Sequence, residues 1–158
     1  MKIIIETTCS PYTGERVGGA ETSLRLISEK LAERGHDVVL FTKSQNRKNI
    51  GFSVNKINNV KVITFYKFNI SIFNKYFFKS KFKSFRNKIK ISHIKKADIV
   101  HFHYNLPLFE FYQSLKGKYQ FKIVIRVAGL KPYEVIKAIP EFIDRYQRMF
   151  DESDLLNL

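Results

Sequence analysis

Between Val38 and Ala97 the chain has no aspartate or glutamate. Fifteen of its 28 Lys and Arg residues fall in that stretch, which leaves thirteen against fourteen acids elsewhere. One segment therefore accounts for the whole net charge of +14. Such a one-signed excess seeks an anionic surface. Cysteine is almost as scarce. The single Cys9 excludes an internal disulfide and fits a reducing compartment. With no base or charge partner in view, Cys9 reads as structural. No apolar run approaches the roughly 20 residues that a spanning helix needs. Glu6 and Cys9-Ser10-Pro11 break the N-terminal apolar run too early for a signal peptide. Neither an internal repeat nor a low-complexity linker is present. The 158 residues, 44% hydrophobic, suffice for one domain with a real core. The expectation is a cytoplasmic protein, soluble or peripheral to a membrane.

The most informative stretch is Met1–Thr42. Lys2-Ile3-Ile4-Ile5-Glu6-Thr7 is a β-branched run without polar alternation, as in a strand buried on both faces. A loop closes on Gly18-Gly19, after which Ala20, Leu24, Ile27 and Leu31 recur at helical spacing on one face. Gly35 supplies the helix stop, and Asp37–Thr42 follows as a second buried strand. This βαβ opening bares backbone amides at a helix N-terminus, where phosphate is well accommodated.

Beyond it, Lys43–Asn59 is polar and basic and reads as a surface loop. Val60–Phe65 is a third strand. Lys67–Lys96 holds ten Lys or Arg and aromatics throughout, and reads as one or two amphipathic helices. On the helical wheel Ile72, Phe73, Tyr76, Phe77, Ser80, Phe85 and Ile89 stand apart from Lys75, Lys79, Lys83, Arg86 and Lys90. Asp98–Phe102 is a fourth strand, and Pro107 opens a helix over 107–116 that Gly117 breaks. Phe121–Val127 is a fifth strand, Pro132–Phe150 is helical with a kink or split at Pro140, and Leu155–Leu158 begins a sixth strand. Strands alternating with helices over connections too long for hairpins imply a parallel, Rossmann-like α/β sheet with helices on both faces. Ligands on such sheets bind at the carboxyl ends of the strands, near the switch in strand order.

Several residues on that rim invite a chemical role, each against a plainer alternative. Gly18-Gly19 lets backbone approach a phosphate, or merely turns the chain into the helix. Glu21 reads as a cap for the helix start in preference to a catalytic acid. His101 and His103 point to one face of their strand. Two histidines are too few for a metal site. His103 lies nearer the rim, while His101 reads as a hydrogen-bonded core residue. Arg126 binds an anion through its forked geometry, or snorkels from the sheet edge. The basic aromatic segment reads first as a membrane-adsorbing surface through Lys75, Lys79, Lys81, Lys83, Arg86, Lys88 and Lys90. A solvated helix with an aromatic core face comes second. Nucleic-acid binding comes third, because no recognised reader motif accompanies the charge.

Two blocks carry a resemblance. Gly18-Gly19-Ala20-Glu21 with Leu24, Leu31, Arg34-Gly35-His36-Asp37-Val38 and Thr42, followed by Ala97-Asp98-Ile99-Val100-His101-Phe102-His103, resembles the N-terminal half of a GT-B glycosyltransferase of retaining family 4. The resemblance covers most of the chain, thinly between 43 and 96. It implies transfer of a hexose-type sugar from a nucleotide diphosphate sugar to a glycan or lipid-linked acceptor, with retention and with no obligatory metal or other cofactor. Gly18, Gly19, Ala20, His103 and Arg126 become the candidate substrate and phosphate contacts, with no catalytic residue assigned. Ala128 stands where many members have a histidine, which leaves that role without a residue here. The resemblance further implies that residues 1–158 form one acceptor-side domain. A second, nucleotide-sugar-binding domain with a glutamate pair would follow, and the chain alone would be inactive. The expected site of action is the inner face of the membrane. The standing alternatives are a non-catalytic membrane- or partner-binding module and a nucleic-acid-binding protein.

Overall fold

The computed structural model describes residues 1–12, 18–44, 51–66, 75–103, 105–127 and 143–157, the side chains of 75–79 and 155–157 excepted. Its strands are β1 (Lys2–Glu6), β2 (Asp37–Ser44), β3 (Phe52–Ile57), β4 (Val60–Tyr66), β5 (Ile99–His103), β6 (Lys122–Arg126) and β7 (Leu155–Asn157). The helices are α1 (Gly19–Glu33), α2 (Lys75–Ile94), α3 (Leu106–Lys116) and α4 (Ile143–Asp151). The seven strands form one sheet in the order β3-β4-β2-β1-β5-β6-β7, parallel everywhere except at the β3–β4 edge. Strand order reverses at β1, which has β2 on one side and β5 on the other.

Side-chain alternation along β1 sorts the core into two layers. Ile3 and Ile5 join Leu24 and Ala32 of α1, with Val38, Leu40, Val60 and Val62. Ile4 faces the other way, into a larger cluster with Phe41, Phe102, Ile94 of α2, Phe109 and Tyr112 of α3, and Met149 of α4. Helices thus cover both faces, as the uninterrupted apolar strands require. The α1 stop is a Schellman motif. Gly35 sits at φ +83°, with its N–H donating to Ala32 O (3.0 Å) and that of His36 to Leu31 O (3.2 Å).

The loop expected over Lys43–Asn59 is not found in its described residues: β2 continues to Ser44, and Phe52–Ile57 pairs antiparallel with β4 through a two-residue turn. Asn58 and Asn59 adopt φ values of 48° and 63°, which a type I′ hairpin demands and asparagine tolerates. As an edge strand, β3 is polar enough to pass for a loop. The basic segment forms one 20-residue helix over its described part. Asn105 caps α3, its side chain accepting from Leu108 N–H at 3.0 Å, with Pro107 in the first turn. Residues 67–74 and 128–142, including Ile72, Phe73, Ala128 and Pro140, lie outside the described set.

Candidate functional site

The carboxyl ends of β1, β5 and β6 and the start of α1 meet on one rim. His103 and Arg126 are direct partners in the β5–β6 register. Both project to the α1 side of the sheet, since Val100, Phe102, Ile123 and Ile125 fill the opposite core. There the Arg126 guanidinium donates through Nη1 to Ser23 Oγ in the second turn of α1. Glu21 caps that helix: its carboxylate accepts from Gly18 N–H at 3.1 Å, and Thr22 Oγ1 donates to Gly18 O at 3.1 Å. Gly18 and Gly19 are exposed, and a Cβ on Gly19 would meet nothing within 4 Å. Gly18 has an ordinary φ of −87°. The fold itself therefore asks little of the glycine at position 19, and its backbone is left open to approach.

The two histidines are held neutral. Burial pushes His101 down to about 4, helped by the charges of His103 and Arg126. Burial and then Arg126 also lower His103, against Glu21 and the Ala20 backbone. In both rings Nε2 is buried without a hydrogen-bond partner; His101 is a core residue, as its burial shows. An unpaired ring nitrogen in His103 at the rim is a group with unspent hydrogen-bonding capacity. No three His, Cys, Asp or Glu side chains stand together as a metal site needs, among the described residues.

On the other face of β1, Glu6 enters a cluster the sequence does not announce. Its carboxylate pairs with Lys90 Nζ of α2 and accepts from Tyr112 OH at 2.6 Å. Glu6 and Lys90 are each 3% exposed, and Tyr112 is fully buried. Lys90 Nζ also lies 5.4 Å from the centre of the Phe111 ring. Burial lowers the Lys90 ammonium in spite of Glu6, and raises the Tyr112 phenol. Lys90, expected on the membrane-facing surface, is therefore turned into the core, where its anionic partner among the described residues is the strand-end carboxylate. Arg86 is half-buried, with Nε lacking a partner. Lys81, Lys83 and Lys88 are exposed, and the side chains of Lys75 and Lys79 lie outside the described residues.

The structure places Gly18, Gly19, Ala20, His103 and Arg126, the candidate contacts read from the sequence, near one rim, and adds Ser23 and the Glu6 cluster, which the sequence reading did not name. Ser23 had a signal: it falls between Ala20 and Ile27 at i+3 and i+7 on the sheet-facing side, where a polar residue calls for a partner.

A doubly covered sheet whose order reverses at β1, with a bared helix start and a guanidinium at the carboxyl rim, defines a Rossmann-like domain of the GT-B kind. The chain belongs to glycosyltransferase family 4: the family model described as "Glycosyltransferase Family 4" matches residues 17–154. Among solved structures, sucrose-phosphate synthase from Thermosynechococcus elongatus is similar with a TM-score of 0.69 at 14% identity, over 98% of this chain and 41% of its own. The catalytic domain of starch synthase IV from Arabidopsis thaliana, bound to ADP and acarbose, gives 0.53 at 14% identity, over 82% of this chain and 34% of its own. An E. coli trehalose-6-phosphate structure bound with UDP-2-fluoro glucose gives 0.55 at 12% identity, over 99% and 39%. This chain thus spans about a third to two fifths of the length of the structures it resembles. At these identities the likeness is one of fold. No curated protein matches the sequence. No described helix is long and apolar enough to cross a membrane.

Proposed function

We propose that this chain is the acceptor-side domain of a glycosyltransferase that moves a sugar from a nucleotide diphosphate sugar to a lipid-linked or glycan acceptor at an anionic membrane surface. The observation that carries the reading is the convergence of Arg126 and His103 on the N-terminal turns of α1. A departing diphosphate is stabilised by cations and amides fixed in place before charge develops. Arg126, oriented by Ser23, supplies the cation, and the Gly19 and Ala20 amides at the start of α1 supply the donors, the Gly18 N–H being held by Glu21. His103, neutral and unpaired at Nε2, can accept a hydrogen bond there from an acceptor or sugar hydroxyl. Two of the similar structures hold ADP and UDP-2-fluoro glucose, which accords with a nucleotide-sugar donor. We assign the main donor contacts to a partner half outside residues 1–158 and expect no turnover from this chain alone. The exposed Lys81, Lys83 and Lys88 of α2 hold the domain to anionic lipid.

An amide NMR titration of the chain with inorganic pyrophosphate tests the site. The Gly18 and Gly19 amides, resolved in the glycine region, should shift in a saturable way, and Arg126→Ala should abolish the effect. A titration leaving both amides unmoved would remove the phosphate reading. Labelled transfer from nucleotide sugars should be absent for the chain alone and present with a GT-B donor half supplied in trans.

A further inference from the structure

The edge strand β3 presents an apolar surface that its own fold does not cover. Phe52 and Val54, two apart on one face, are 40% and 48% exposed, and Phe85 of α2 is 44% exposed. These account for three of the six large hydrophobics left open among the described residues. Phe52 and Phe85 touch, ring centres 5.7 Å apart, so strand and helix contribute to one patch. Lys56 continues the same face of β3 and is exposed. Lys81 and Lys88, four before and three after Phe85, flank it on the helix and are also exposed. The surrounding segment from Val38 to Ala97 contains no acid. An apolar centre ringed by ammonium groups, within a segment that carries no acid, complements the anionic headgroups and acyl boundary of a lipid bilayer.

We propose that Phe52, Val54 and Phe85 form the inserting part of the membrane contact, with Lys56, Lys81 and Lys88 as its headgroup ring. This rests on the membrane reading above and moves the apolar part of the contact from the basic helix to the junction of helix and sheet edge. Register places the patch usefully. Phe52 pairs with Phe65, which pairs with Lys43, two residues beyond Phe41, the partner of Glu6. The patch therefore lies at the same carboxyl rim as the candidate site. It stands three strands from β1, roughly 14 Å at ordinary strand spacing. His103 on β5 and Arg126 on β6 lie one and two strands further and project to the α1 side, so a lipid-linked acceptor anchored at the patch reaches them by crossing over the carboxyl rim.

The chain has no tryptophan, so Phe52→Trp and Phe85→Trp each carry a single reporter. Mixed with vesicles of phosphatidylcholine and phosphatidylglycerol, both should shift their emission to the blue and be quenched by shallow brominated lipid. Neither should respond to phosphatidylcholine alone. Phe52→Ser with Phe85→Ser should weaken vesicle binding at least tenfold while the circular dichroism is retained. If Lys81→Glu with Lys88→Glu abolishes binding but both reporters stay silent and the serine variant binds normally, the inference falls and the membrane reading stands. If the unaltered chain binds neither vesicle, the membrane reading fails and the inference with it. A lipid-free dimer in sedimentation that Phe52→Ser dissolves would give the patch to a second copy and overturn the proposal.

Discussion

Glu6 at the end of β1 and Lys90 on α2 stand 84 residues apart in sequence and form a buried ion pair, with Tyr112 of α3 bound to the other carboxylate oxygen. Three elements are thereby joined immediately below the loop that leads to α1. Desolvation makes such a pair a poor source of net stability, yet removing one partner strands the other. Lys90→Met alone should therefore cost about 3–5 kcal/mol in urea unfolding. Glu6→Leu with Lys90→Met should recover most of that loss. Additive losses in the double variant would show that the two charges act independently.

Arg126 is predicted to discriminate by shape as well as charge. Arg126→Lys keeps the cation but loses the fork that can hold Ser23 and an anion together. Pyrophosphate affinity should fall about tenfold, roughly 1.4 kcal/mol, without loss of thermal stability. Calorimetric titration beside a melting curve checks both halves; equal affinity would leave Arg126 as packing.

Gly19 and Gly35 should respond oppositely to alanine. At Gly19 a Cβ meets open space, so Gly19→Ala should leave the urea midpoint unchanged or slightly higher. At the same time it should obstruct the close approach of a phosphate. Gly35 holds φ +83°, and Gly35→Ala should cost about 1–2 kcal/mol there. A destabilised Gly19→Ala would assign that glycine to the fold and not to a ligand.

His101 should make the domain acid-sensitive. Its folded value is about 4, below the roughly 6.5 of an unfolded histidine. Between these values the unfolded chain takes up a proton that the folded one refuses, so stability falls as pH drops through that window. His103, shifted the same way, adds to it. His101→Gln should flatten the slope of unfolding free energy against pH between about 6.5 and 4. An unaltered slope would place the titration elsewhere.

The parallel core was readable because its strands are short β-branched or aromatic runs bounded by clear breakers, as in Ile3-Ile4-Ile5 and Ile123-Val124-Ile125. The α1 boundaries were readable from Gly18-Gly19 and Gly35. What escaped was β3, where Phe52-Ser53-Val54-Asn55-Lys56-Ile57 alternates like a half-buried strand but sits among basic and asparagine-rich residues. Asn58-Asn59, now seen as a left-handed turn, was the missed hairpin signal. The rim residues were legible through their spacing and a family likeness. Glu6 was not, because a carboxylate at a strand end states a need for a partner without naming a lysine 84 residues away. Helical periodicity likewise put Lys90 among solvated lysines; tertiary pairing decided otherwise.

The position of β1 bears on how the chain is made. Its first neighbour, β2, begins at Asp37, but its second, β5, is complete only at His103. During synthesis one edge of Ile3-Ile4-Ile5 therefore stays unsatisfied from Asp37 to His103, about two fifths of the 158 residues. Non-local parallel pairing of this kind closes late and folds slowly. The acid-free, lysine-rich segment is translated within that interval. Its charges keep nascent chains apart from one another, so the residues proposed to meet an anionic surface would also guard the open strand until β5 arrives.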